Sequence, residues 1–410
     1  MSADSASSSG EGPAVVRWKM AVLLAALSMV SPFSIDTFFP SFHSIADYFA
    51  INRWAVQQTL TAYMLPLSVM SLVQGPLSDA LGRRPVILRG LGIYTLASVG
   101  CALAPTFGVL LAFRALQGFS AGVGMIVGRA VIRDLYDGPH AQRLLSVVTM
   151  IFGFAPAVAP VIGGWIHVAF GWRAVFGFMT LVGAALWLSA LLVLPETHPP
   201  EKRPRLHAGE LAHTAWSIVS HREFLLLAIA MGANFAAVMS FIGAAPAVVV
   251  DHWHLRETQF AYLFIPVIGG IVAGAWASGR MAGRLTHERQ TRLGFHLALG
   301  AAALMIVALL VLPGIVPVQQ VLLGAIAFGV QLVAPPLTLR MLDLYPLARG
   351  SAASVQSCVS IAISALVFGL LSPLLSTSLL TLALGSLCAT LTALGLWLLA
   401  QRTLPRALAA

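Results

Sequence analysis

The sequence predicts an all-α integral membrane protein: twelve transmembrane helices, arranged as two pseudo-symmetric six-helix bundles. Three observations predict it. The 410 residues are 58% hydrophobic and only 10% charged, against the roughly 25% charged residues of soluble domains, so most of the chain has bilayer as its solvent. Apolar runs of about 20 residues, the length that crosses a bilayer, recur along nearly the whole chain. The sequence also repeats itself at about half its length. Asp134-Leu-Tyr returns as Asp343-Leu-Tyr, and the Gly/Arg segment that begins at Gly75 returns about 204 residues later as Ser278-Gly-Arg-Met-Ala-Gly-Arg.

Spans are expected at 18–40, 54–76, 86–104, 107–132, 143–167, 174–195, 224–247, 258–280, 292–312, 318–340, 351–372 and 376–400. Residues 1–17, rich in Ser, Gly and Ala, are too polar to cross and form an N-terminal tail; their composition favours disorder. They do not read as a signal peptide, because the apolar run from Met20 is too long and lacks a small-residue cleavage pattern. The first bundle covers 18–195 and the second 223–400, followed by a tail at 401–410. Between the bundles, 196–222 contains His198-Pro-Pro-Glu-Lys-Arg-Pro-Arg205, whose prolines and charges cannot continue a membrane helix. Basic residues accumulate in cytoplasmic loops. With the N-terminus inside, 19 Lys and Arg fall on one side of the membrane and only Arg53, Arg173 and Arg256 on the other. Both termini and the linker are therefore expected in the cytoplasm of a bacterial cell, at its inner membrane.

A net charge of +9 does not imply nucleic acid here, because the charges are scattered over short loops and build no continuous basic face. Cys101, Cys358 and Cys388 lie in apolar runs with no metal-like spacing and read as small hydrophobes. His252-Trp-His254 reads as a solvated outside loop, since no third metal ligand accompanies it. His207, His213 and His221 read as solvated residues near the linker. No GxxxxGK[ST] loop is present, no cofactor is expected, and neither an enzyme's clustered catalytic groups nor a sensor's appended domain is evident.

Two charges stand deep inside spans. Every acid other than Asp36 falls in a loop, at a span end or in a tail, and burying a carboxylate costs about 2.5–3.5 kcal/mol on insertion scales. Counted from Met20 it lies about 24 Å along the helix, past the midplane. Desolvation favours its neutral form and a nearby cation its charged form, so it can trade a proton for a substrate. Arg114 cannot deprotonate. It can hold Asp36 ionised, bind an anionic group, or order Gln117, one turn away on the same face. Arg129 is near the basic end of its span and reads as snorkelling.

Several motifs carry a family resemblance. Gly75-x-Leu77-x-Asp79-x-x-Gly82-Arg83-Arg84 resembles the signature loop between spans two and three of the major facilitator superfamily. Arg114-x-x-Gln117-Gly118 resembles a second motif of that family, in span four. Gly153-x-x-Pro156-x-x-x-Pro160-x-x-Gly163-Gly164 is similar to the Pro/Gly motif of its antiporters, with Ala159 where Gly is commoner. Ile35-Asp-Thr-Phe-Phe-Pro40, Gly171-Trp-Arg-x-x-Phe176 and Leu194-Pro-Glu-Thr197 resemble segments of the Bcr/CflA drug-resistance exporters. The resemblance implies proton-driven efflux of drugs or small metabolites, with a site between the two bundles near the midplane. It implies a conformational latch in the 75–84 loop, with Arg133 and Asp134 as partners, and a flexing seam along span five. Proton-coupled uptake remains the alternative direction. Residues expected to line the cavity, beside Asp36, Arg114 and Gln117, are Tyr63, Met150, Phe154, Asn234, Phe235, Met239, Phe241, Phe264, Gln331 and Gln356. Aromatic, Met and sparse polar groups suit a lipophilic ligand. The partners expected are such a small molecule, protons and membrane lipid, with the chain acting as a monomer.

Overall fold

The computed structural model describes residues 13–136, 138–203, 208–312 and 314–402. The expected tails therefore lie outside the described residues for 1–12 and 403–410. Twelve helices are long and apolar enough to cross a membrane: Trp18–Phe49, Arg53–Leu81, Arg83–Ala102, Phe107–Leu135, His140–Phe170, Trp172–Val193, Arg222–Gly243, Ala261–Met281, His287–Val311, Val316–Asp343, Arg349–Leu375 and Leu379–Arg402. They are called spans one to twelve below. Their two ends are called the basic face, where most Arg and Lys lie, and the far face.

Helix starts follow local chemistry. Asn52, Thr106 and Thr286 cap spans two, four and nine, each side-chain oxygen accepting a backbone N–H three residues on. Spans three and six begin after Gly82 and Gly171, whose φ values of +96° and +81° suit glycine.

The packing repeats with a shift of six spans. Span one packs on four, five and six, as seven packs on ten, eleven and twelve. Span four packs on two and three, as ten packs on eight and nine. Spans three and six pair, as do nine and twelve. Each set of six is thus one bundle, and the sets meet through spans two and eleven and spans five and eight, a pair of contacts related by the same shift.

Two expectations about boundaries need correction. Span one does not stop at Pro40. A 3-10 turn, Phe39–Ser41, accommodates the proline near its N-terminus, and the helix restarts as Phe42–Phe49, burying Phe42, Ile45 and Ala46. Asp36 is therefore 18 residues from Trp18 and 13 from Phe49, nearer the middle than a span ending at 40 implies. The linker is not all loop. Ala208–Ser220 is a helix, because Leu211, Ala215, Ile218 and Val219 recur at helical spacing; Ile218 is buried, and the helix packs on spans seven and eleven.

The bundles are sealed at the far face. Phe39 packs on Phe264, the rings tilted with centroids 6.1 Å apart. On span two, Gln57 donates to the Gly243 carbonyl at 3.4 Å and Gln58 to the Gly369 carbonyl at 2.8 Å. Span five shows where this seal ends. A methyl on Gly164 would stand 3.2 Å from the Glu257 carbonyl carbon, in the other bundle. Eleven residues earlier on the same helix face, Gly153 has nothing within 4 Å of its missing methyl. The seam between spans five and eight closes at its far end and opens toward the basic face.

Candidate functional site

Arg114 is wholly buried, and four spans converge on it. Its Nε donates to the Thr59 carbonyl at 3.3 Å, and Nη1 donates to the Ser34 carbonyl at 3.2 Å and to Gln117 Oε1 at 2.9 Å. The guanidinium lies 4.4 Å from the Phe38 ring centroid and 4.5 Å from that of Tyr63. Three neutral acceptors and two aromatic faces offset the loss of water around the charge. Among the described residues, Nη2 has no hydrogen-bond partner. Gln117 passes the network to span three, its Nε2 donating to Ser98 Oγ at 2.7 Å. Ser34 Oγ lies 2.5 Å from Tyr94 Oη, and Tyr63 Oη donates to the Ser31 carbonyl at 3.2 Å. Gly118 permits the arrangement: a methyl there would stand 2.6 Å from the Tyr63 carbonyl carbon, so spans two and four meet backbone to backbone.

Asp36 does not belong to this network. It is 5% exposed and, among the described residues, has no hydrogen bond and no ion pair. Of the roles open to Arg114, ordering Gln117 is the one this geometry performs; holding Asp36 ionised is not. The first helical segment of span one ends at Asp36; Ser34 reaches Arg114 through its backbone carbonyl and Phe38, in the turn beyond, through its ring. The chain thus contacts Arg114 on either side of Asp36 without pairing the carboxylate with it. The next residue, Thr37, presents its carbonyl to Gly163 of span five; a methyl on Gly163 would stand 2.7 Å from the Thr37 carbonyl carbon. Asp36 stands beside the point at which the far-face seal begins.

The expected cavity residues divide. Met150 and Phe154 are 57% and 49% exposed, on the part of span five beyond the seal. Phe235, Met239, Gln331 and Gln356 are half-buried, and Gln356 Nε2 donates to Thr338 Oγ1 at 2.9 Å. Four are packed inside a bundle or the seal rather than exposed to a cavity. Tyr63 lies against Arg114, Asn234 donates to the Val330 carbonyl at 2.9 Å, Phe241 is buried, and Phe264 is closed under Phe39. Burial follows from polarity for Asn234, whose amide finds an acceptor on span ten instead of lipid.

The expected 75–84 loop is helical on both sides of Gly82, because span two runs on to Leu81 and span three starts at Arg83; this segment is bonded within its own bundle and to the linker. Arg83 pairs with Asp79 and, at 3.0 Å, with Asp134, and Nη1 donates to Ser78 Oγ at 2.5 Å. Its backbone N–H donates to Glu196 Oε1 at 3.0 Å, and Glu196 pairs with Arg203 at 3.3 Å. Arg84 donates to the Leu191 carbonyl. Gly82 leaves room for this: a methyl there would press on Arg203 at 2.5 Å and on Glu196. Arg133 is exposed, and Gly75 has open space beside it. In span five, Pro160 is buried and Pro156 half-buried.

Sequence reasoning missed the far-face seal, in which His43, Arg53, His167, Asp251 and Glu257 take part. Its one visible signal was His167, a histidine inside an apolar span. His252-Trp-His254 is not simply a solvated loop. Trp253 is buried with its Nε1 donating to Gln319 Oε1 at 2.6 Å, and His252 Nε2 lies 2.8 Å from the Ser376 carbonyl oxygen. No group of three metal-ligating side chains occurs among the described residues.

The comparisons agree with this architecture. The model of the Major Facilitator Superfamily matches residues 24–367. "Uncharacterized MFS-type transporter YdgK" of Bacillus subtilis (strain 168) is 32% identical, over 71% of this chain and 73% of its own. A bicyclomycin resistance protein homolog of Haemophilus influenzae is 30% identical, over 66% and 68%. Multidrug resistance protein D of Escherichia coli (strain K12) is 32% identical, over 64% of each. A crystal structure of a bacterial homolog of the human lysosomal transporter Spinster, inward-facing and unoccupied, superposes with a TM-score of 0.70 over 96% of this chain and 98% of its own, at 15% identity, a likeness of fold. Twelve spans in two repeated bundles and a family match over most of the chain lead to one conclusion: the protein belongs to the Major Facilitator Superfamily of membrane transporters, as a member of the Bcr/CflA type.

Proposed function

We propose that this protein is a proton-driven exporter of lipophilic small molecules, in which substrate and proton compete for Asp36 during alternating access. The observation that carries the reading is the state of Asp36. It is a buried carboxylate near the middle of span one that, among the described residues, has no hydrogen-bond or ion-pair partner, the buried arginine included, and it stands where the seal between bundles begins. An unpaired acid at that depth is costly to leave ionised. It is therefore suited to hold a proton and to give it up to a cationic or polar ligand. Relatives named for resistance to bicyclomycin, to multiple drugs and to chloramphenicol support export of drug-like compounds. The basic face is then cytoplasmic, and the opening toward it admits substrate from the cell. Arg114 fixes spans one to four around the site, and the loop around Arg83 holds the basic-face ends of the first bundle to the linker. A latch across the two bundles belongs, in this reading, to the state open at the far face. No cofactor is required.

The test is transport in proteoliposomes with an imposed pH gradient, using ethidium and chloramphenicol as probes and an internal pH dye to follow protons. Asp36→Asn should abolish pH-driven movement of the probe and the linked proton flux while the protein remains folded. Undiminished gradient-driven efflux in that variant would remove Asp36 from the mechanism.

A further inference from the structure

Nine pairs of basic and acidic side chains are formed among the described residues, and three of them join the two bundles: one arginine–carboxylate ion pair and two histidine–carboxylate pairs, which carry opposite charges when the imidazole is protonated. All three lie at the far face, and all end on two carboxylates of the second bundle. Asp251, in the helical segment Ala247–His252 that follows span seven, receives Arg53 from the start of span two and His43, at 3.4 Å, from the outer turn of span one. Glu257, in the connection to span eight, receives His167 of span five at 3.4 Å. The ion pairs at the basic face all stay within one bundle or within the linker.

We propose that Asp251 and Glu257 are positioning residues of the transport cycle: they form an electrostatic lock that holds the far face closed and sets how often it opens. Three features make these pairs more than surface decoration. The side chains of Asp251 and Glu257 are 27% and 33% exposed, so water screens them only in part. His167 is nearly buried and held from two sides, with Nδ1 3.2 Å from Ser41 Oγ and Nε2 toward Glu257. The Glu257 backbone also packs on Gly164, so side chain and main chain of one residue close the same seam. Arg53 keeps its charge at any working pH, so the Asp251 pair does not depend on a titrating partner. Each pair crosses from one bundle to the other, so opening of the far face must break them. A contact present in only one state biases the equilibrium toward that state. The lock complements the proposed proton exchange at Asp36, and its test needs neither substrate nor pH gradient.

The experiment measures the separation of the bundles at the far face. Cys101, Cys358 and Cys388 are replaced by Ala, and Pro105→Cys and Gly314→Cys, both exposed and one in each bundle, carry nitroxide labels. Pulsed dipolar spectroscopy in lipid nanodiscs should give mainly the shorter distance for the parent protein. Asp251→Asn combined with Glu257→Gln should raise the longer-distance population about tenfold, which corresponds to about 1.4 kcal/mol. Arg53→Asp alone should act in the same direction, and Arg53→Asp with Asp251→Arg should restore the shorter distance. An unchanged distribution in the double-neutral variant overturns the lock, as does a charge swap no better than its single variants. Asp36→Asn serves as the separate control. Its retention of efflux would sink the proposed proton exchange and leave the distance result standing, and the reverse also holds.

Discussion

Gly163 and Gly153 belong to one Pro/Gly motif on one helix, and the structure separates them. In Gly163→Ala the new methyl would stand 2.7 Å from the Thr37 carbonyl carbon and closer still to its oxygen. Carbon–carbon contacts settle near 3.5–4.0 Å, so spans one and five must part by about 0.8 Å or more. The obstacle is backbone and cannot rotate aside. Overpacking of this kind costs about 1–3 kcal/mol, and a main-chain clash belongs at the upper end. In Gly153→Ala the methyl enters open space, and alanine's better helix propensity returns up to about 1 kcal/mol. The two variants differ by one CH₂ each at sites ten residues apart. They should nonetheless differ by about 3 kcal/mol in stability, read as several degrees of apparent melting temperature in detergent. Probe efflux from everted vesicles should fall at least tenfold in Gly163→Ala, because the shift occurs next to Asp36, and stay near parental in Gly153→Ala. Equal stability and equal efflux in the two variants would refute the claim that Gly163 sets the spacing of spans one and five.

The remaining predictions are shorter. Arg114→Lys keeps the charge but loses the planar group between Phe38 and Tyr63 and the fixed fork that reaches Thr59, Ser34 and Gln117. It should destabilise the first bundle by at least about 2 kcal/mol, seen as a lower melting temperature that Gln117→Asn does not reproduce in full. Gly82→Ala places a side chain at φ +96° against Glu196 and Arg203, a strain of about 1–3 kcal/mol. Tryptic cleavage after Lys202 should accelerate, because the pair of Arg203 with Glu196 no longer seats the linker.

Much of the fold was legible because its cause is local. Each span is an apolar run of fixed minimum length, and the second six repeat the first in sequence and in packing. Where the sequence misled, the cause was a tertiary accommodation. Pro40 reads as the end of a helix, yet it sits within a 3-10 turn and span one resumes after it. The linker helix was hidden by the prolines before it. Asp36 was legible as a buried acid, since no partner is needed to see that a carboxylate in an apolar run is expensive. The surroundings of Arg114 were not, apart from Gln117 on its own helix face. Its other contacts come from 55 and 80 residues away and depend on how three helices turn toward it. The far-face seal was least legible of all, because Arg53 meets Asp251 across 198 residues and neither position is unusual in its own loop.

Gly164 offers a finer test of how the bundles move. Its neighbour Gly163 faces span one of the same bundle, a contact that survives if bundles rock as rigid bodies. Gly164 faces the Glu257 backbone of the other bundle, where an added methyl would find carbon neighbours at 3.2 Å and the carbonyl oxygen closer still, a contact that opening must release. The two adjacent alanine substitutions should therefore fail in different ways. Gly163→Ala penalises every state and lowers stability without changing the ratio of states. Gly164→Ala penalises only the closed far face, so stability falls less while the longer-distance population of the labelled protein rises. A penalty of about 1 kcal/mol, the lower end of the overpacking range, corresponds to roughly a fivefold shift in that population. If both variants moved the distance distribution equally, or if only Gly163→Ala did, the bundles would not be moving as rigid bodies about this seam, and the division of span five into an intrabundle and an interbundle face would be wrong.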